Sequence, residues 1–67
     1  MRRYLVVMEP AGANYSAYVP DLPGCVATGG TRAEAGIRGA IILHLQGLRQ
    51  DGDPVPEPRA SGEYVEI

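Results

Sequence analysis

The sequence predicts a small α+β domain of order β-β-β-α-β, with one helix covering one face of a four-stranded sheet of strand order 3-2-1-4. Three observations carry this expectation. Short apolar segments with strand character, separated by Gly- and Pro-containing turns, fill roughly the first thirty residues. Helical periodicity then takes over as far as about Gln50. A β-branched tetrapeptide closes the chain after a proline-rich stretch.

Tyr4-Leu5-Val6-Val7-Met8 reads as the first strand, and Ala11-Gly12-Ala13-Asn14 as the turn that follows it. Tyr15, Ala17 and Val19 alternate with Ser16 and Tyr18, the pattern of a second strand with two unlike faces. In Pro20-Asp21-Leu22-Pro23-Gly24, the Pro-Gly pair suits the central positions of a type II turn, proline presetting φ and glycine supplying φ > 0. Cys25-Val26-Ala27-Thr28 returns as a third strand, ended by Gly29-Gly30. Thr31-Arg32-Ala33-Glu34 has the form of a capping box and sets the expected helix start.

Ala33, Ile37, Ala40, Ile41, His44, Leu45 and Leu48 recur at helical spacing and form the main apolar face. Ile42 and Leu43 fall off that face and widen it, which marks them as candidate contacts with another copy or a partner. Gly36, Gly39 and Gly47 each cost a helix interior about 1 kcal/mol relative to alanine, so close packing is the expected reason for them. Asp51-Gly52-Asp53-Pro54 stops the helix, and Pro54-Val55-Pro56-Glu57-Pro58 is extended because proline disfavours helix for its predecessor. Tyr64-Val65-Glu66-Ile67 is the expected fourth strand, brought parallel to the first by a right-handed crossover. One face of the sheet is then left open.

The chain has 67 residues, 45% of them hydrophobic, which makes one domain and a small one. A chain of this length buries only about 60% of its unfolded surface, so its core needs support from disulfides, a metal or oligomerisation. A single cysteine, Cys25, rules out an intrachain disulfide, and with a single histidine, His44, it does not make a structural zinc site. Oligomerisation, as a homodimer or tetramer, is the expectation. The six basic residues are all arginine, scattered along the chain against eight acids for a net charge of −2. That is not the basic stripe of a nucleic-acid binder. No apolar run approaches a membrane span and no signal-peptide pattern opens the chain, so a cytoplasmic protein is expected.

Catalytic chemistry finds little support. Glu9, Asp21 and Glu34 are the only acids in the first two-thirds of the chain, and none is paired at alternate spacing on a strand. Turn and cap roles account for Asp21 and Glu34. His44 lacks an evident nucleophile or acid partner, Cys25 lacks a cationic neighbour, and Gly29-Gly30-Thr31 lacks the lysine and spacing of a phosphate loop. No catalytic residue, metal ligand or cofactor is expected.

The run from Tyr15 through Pro20-Asp21-Leu22-Pro23-Gly24-Cys25, followed by Thr28, Gly29, Thr31, Glu34 and Ala35, resembles the HicB-like antitoxin family. Ala40-Ile41, Leu45 and Pro54-Val55-Pro56 extend the resemblance over nearly the whole chain. It implies a partly degenerate ribonuclease H-like fold without the catalytic acids. It further implies a non-enzymatic antitoxin that binds and masks HicA, a small basic RNA-cleaving toxin, and that forms dimers or tetramers. Many members add a C-terminal DNA-binding segment; a chain ending at Ile67 is expected to lack it and to bind no DNA itself. The candidate partner contacts are Tyr18, Asp21, Leu22 and Pro23 at the turn and the open sheet face, with Ile42 and Leu43 on the helix. A residual Mg²⁺-dependent nuclease, and an oligomeric domain without a toxin partner, are the alternatives.

Overall fold

The computed structural model describes residues 2–31 and 36–67. Strands β1 (Val7–Ala11) and β2 (Asn14–Tyr18) form an antiparallel hairpin closed by Gly12 and Ala13, with Gly12 at φ +63°. A two-residue loop with glycine first matches the right-handed twist of the flanking strands. It also sets the register, in which Ala11 faces Asn14 and Val7 faces Tyr18. Strand β3 (Val26–Gly29) adds antiparallel to the other side of β2, pairing Tyr18 with Val26 and Tyr15 with Gly29. The sheet order is β1-β2-β3, as expected for these three strands.

β1 begins at Val7 and not at Tyr4. Continuing its register upstream would set Leu5 opposite Pro20, which has no N–H to donate and where the partner chain turns away. The loop over residues 20–24 is two successive β-turns. Leu22 N–H donates to the Val19 carbonyl at 3.0 Å, and Cys25 N–H to the Leu22 carbonyl at 3.0 Å. Each turn has a proline at its second position, and Gly24 takes φ +82° in the second, the type II geometry expected of Pro23-Gly24. Val19 N–H donates to the Cys25 carbonyl at 3.2 Å and closes the base of the loop.

Helix α1 (Ile37–Gln50) follows Gly36, which has a left-handed φ of +51°. The described helix begins at Ile37, six residues after the expected start at Thr31. The Thr31–Glu34 capping box lies largely outside the described residues, as do Ala33 and Ala35. Ile37 is buried, and Ala40, Ile41 and Leu45 pack beside it on the core, so the expected apolar face is the one turned to the sheet. Gly39 and Gly47 have nothing within 4 Å of the position a Cβ would take. Close packing within the chain does not account for them, contrary to expectation.

The core proper is Ala17, Val19, Leu22, Cys25 and Ile37, with Tyr4, Val6 and Met8 among the half-buried residues around it. Residues 54–67 form no strand. They run beside the N-terminal segment: Tyr4 Oη donates to the Pro56 carbonyl at 2.6 Å, Arg2 pairs with Glu57 at 3.3 Å, and Gly62 lies against the Leu5 methyls. The fourth strand expected at residues 64–67 is not formed in the single chain, and neither is the four-stranded sheet of order 3-2-1-4. Tyr64 and Ile67 are fully solvent-exposed and Val65 is 73% exposed. Four residues at a sheet edge gain few ladder bonds, and with no layer covering them those bonds do not offset the entropy of ordering the segment.

Candidate functional site: the uncovered sheet face

Residues directly opposite one another across antiparallel strands share a face, and neighbours along a strand alternate. The pairings therefore sort the sheet into two surfaces. Met8, Ala17 and Ala27 form one cross-strand row, on the face packed into the core. Val7, Tyr18 and Val26 form the corresponding row on the opposite face, with Glu9, Ser16 and Thr28 in a second row beside it. Tyr18 is 40% and Val26 65% exposed, while Val7 is half-buried. The result is an apolar stripe across all three strands, bordered by a polar row that carries one exposed carboxylate, Glu9.

Of the expected partner contacts, Tyr18 stands at the centre of this stripe on the middle strand. Pro23 is exposed at the tip of the adjoining loop. Leu22 is not a surface residue: its relative exposure is 0%, because the two turns of the loop fold it inward between them, and it forms part of the core. Asp21 is half-buried and engaged within the chain. Its Oδ2 accepts from the backbone N–H of Arg59 at 3.0 Å and of Ala60 at 2.9 Å, tying the loop to the C-terminal segment. Ile42 and Leu43 are 48% and 70% exposed on α1 and lie apart from the uncovered sheet face, since the helix covers the other one.

Val7 and Val26 were absent from the candidate contacts read from the sequence, although the signal for them was present. Once the hairpin turn is fixed at Gly12-Ala13, counting outward sets Val7 opposite Tyr18. Among the described residues no group of three or more His, Cys, Asp or Glu side chains could hold a metal ion. Burial pushes the Cys25 thiol above its ordinary pKa, the opposite of what an activated nucleophile needs. Among the described residues no helix is long and apolar enough to cross a membrane.

Comparison with known proteins places this geometry in a family. The family model described as a HicB_like antitoxin of bacterial toxin-antitoxin system matches residues 4–66. The chain belongs to the HicB-like antitoxin family. A relative, an uncharacterized 14.9 kDa protein from the rep-hol intergenic region of Haemophilus phage HP1 (strain HP1c1), is 31% identical over 64 residues. The alignment covers 92% of this chain and 48% of the relative, so the chain spans about half that protein's length. No solved structure matches the chain significantly. The region matched includes the whole described sheet and helix.

Proposed function

We propose that this chain is the toxin-masking domain of a cytoplasmic HicB-like antitoxin, and that the face bearing Val7, Tyr18 and Val26 covers the RNA-cleaving surface of a small basic HicA-type toxin. The observation that carries this is the cross-strand apolar stripe, bordered by Glu9, on the one sheet face that the helix leaves uncovered. An apolar centre with a polar rim is the usual anatomy of a protein–protein interface. The net charge of −2 assists encounter with a cationic partner. Pro23 extends the contact from the adjoining loop, and Asp21 acts indirectly by holding that loop to residues 59–60. The chain works as a homodimer or tetramer, with Ile42 and Leu43 as a further contact. In that assembled form residues 64–67 complete the sheet as its fourth strand, in the degenerate ribonuclease H-like arrangement.

Co-expression with a HicA-type toxin encoded beside it tests the reading. The wild type restores growth and co-purifies with the toxin, whereas Tyr18→Asp, which puts a charge at the centre of the stripe without touching the core, abolishes both. Unchanged rescue by Tyr18→Asp refutes this face as the contact. The nuclease alternative is disfavoured by the engagement of Asp21 with two backbone amides, and RNA left intact by the purified protein with Mg²⁺ disposes of it.

A further inference from the structure

The charge of this chain is unevenly placed, and the sheet region holds all of its excess. No arginine or histidine lies between Arg3 and Arg32, a span that includes β1, β2 and β3 and carries two acids, Glu9 and Asp21. The other six acids balance the six arginines elsewhere, so this span accounts for the net charge of −2. Asp21 is already committed to the backbone amides of Arg59 and Ala60. Glu9 is exposed and, among the described residues, has neither a hydrogen-bond nor an ion-pair partner. One free carboxylate therefore stands on a face whose strands carry no cation.

Strand register fixes its place beside Tyr18. Val7 faces Tyr18 and Glu9 faces Ser16, so Glu9 and Tyr18 are diagonal cross-strand neighbours on the uncovered face. Such neighbours stand roughly 7–8 Å apart, within reach of aromatic and long side chains. Tyr18 is itself exposed, with Val7 and Val26 to either side of it. A planar cation is the group that satisfies both residues at once. Its face stacks on an aromatic ring while its edge donates two parallel N–H bonds to a carboxylate. An ammonium is a point charge without that planar edge, and a polyphosphate backbone has the wrong sign for a lone carboxylate. We propose that Glu9 and Tyr18 form a clamp for one arginine side chain of a basic protein partner.

The clamp gives the face its selectivity. Ser16, opposite Glu9, and Thr28 beyond it complete the row with hydroxyl oxygens that accept from the guanidinium N–H groups the carboxylate leaves unused. The apolar stripe supplies contact area but does not tell one apolar partner from another. A partner that covers the face without a cation at this point strands Glu9 as a desolvated, unpaired charge, and is rejected for that reason.

The inference rests on the reading that this face covers the toxin, and adds the chemistry of the contact. Calorimetric titration with the HicA-type toxin encoded beside the chain tests it. Glu9→Gln, at an exposed site without a partner in the chain, keeps the wild-type Tm and weakens binding about 10- to 100-fold. It also removes most of the loss of affinity that added NaCl causes in the wild type. Tyr18→Leu, which keeps apolar bulk without the ring, weakens binding about 3- to 30-fold, and Tyr18→Phe weakens it less. Among single Arg→Lys variants of the toxin, one weakens wild-type binding as much as Glu9→Gln does and adds little to it in a double-mutant cycle. Wild-type binding by Glu9→Gln or Tyr18→Leu, with binding lost in Tyr18→Asp, overturns the clamp and leaves the face as the contact. Weakening by Glu9→Gln with no toxin arginine coupled to it also overturns the clamp, because the charge then acts only through the general field. Wild-type binding by both Glu9→Gln and Tyr18→Asp overturns the clamp and the face together.

Discussion

The contact between Asp21 and the C-terminal segment permits a graded test. Two backbone donors, Arg59 N–H at 3.0 Å and Ala60 N–H at 2.9 Å, converge on one carboxylate oxygen. Hydrogen bonds to a charged group contribute about 1.5–3 kcal/mol each when shielded from water. Here the Arg59 bond is exposed and the Ala60 bond only part-buried, so about 1 kcal/mol apiece is the appropriate scale. Asp21→Ala removes both and leaves the two amides to water, a loss of about 1–2 kcal/mol. For a domain of this size that lowers Tm by roughly 5–15 °C. Asp21→Asn keeps an oxygen able to occupy the same position without the charge, and costs about half as much. Urea denaturation measures the stability, and amide hydrogen exchange at Arg59 and Ala60 measures the local release. An Asp21→Ala variant with wild-type midpoint and unchanged exchange at those two amides refutes the argument that this carboxylate holds the segment in place.

Other substitutions probe separate links. Leu22→Ala empties the largest fully buried side-chain site and should cost about 2–5 kcal/mol, seen as a large drop in the urea midpoint; a small change would mean the site collapses without loss. Gly47→Ala sits mid-helix with open space around its Cβ position and should stabilise the chain by about 0.5–1 kcal/mol, raising Tm; destabilisation would point to a close contact made in the assembled protein. The Cys25 thiol, raised by burial, must stay protonated in the folded chain while the unfolded thiol ionises near pH 8.5. Its contribution is fully present below that pH and is lost as pH rises from there through the folded value, by at most about 1.4 kcal/mol per pH unit. Stability measured from pH 7 to 10 should fall in the wild type, and Cys25→Ala should flatten that fall.

Much of this fold is legible in the sequence because its determinants are local. Gly12-Ala13 and Pro23-Gly24 dictate their turns through the φ values they permit, and the alternation from Tyr15 to Val19 separates core from surface. Helical spacing picked out Ile37, Ala40, Ile41 and Leu45 as the packing face. The strand-forming residues at 64–67 were equally visible, but propensity does not supply a pairing partner, and in the single chain none is made. The start of β1 is set in a related way, since its pairing ends where the facing segment leaves β2 for the loop at Pro20.

Sequence by itself determined the three paired strands, their order and the helix that follows them, and through its family pattern the membership in the HicB-like antitoxins. Tertiary structure alone decided that Leu22 folds into the core between two turns, that Asp21 reaches 38 and 39 residues along the chain to two backbone amides, and that Val7 and Val26 join Tyr18 in one stripe. The physical reason is common to all three. Turns and periodicity are properties of a few consecutive residues, whereas burial, long-range hydrogen bonds and cross-strand neighbours depend on which distant segments are brought together.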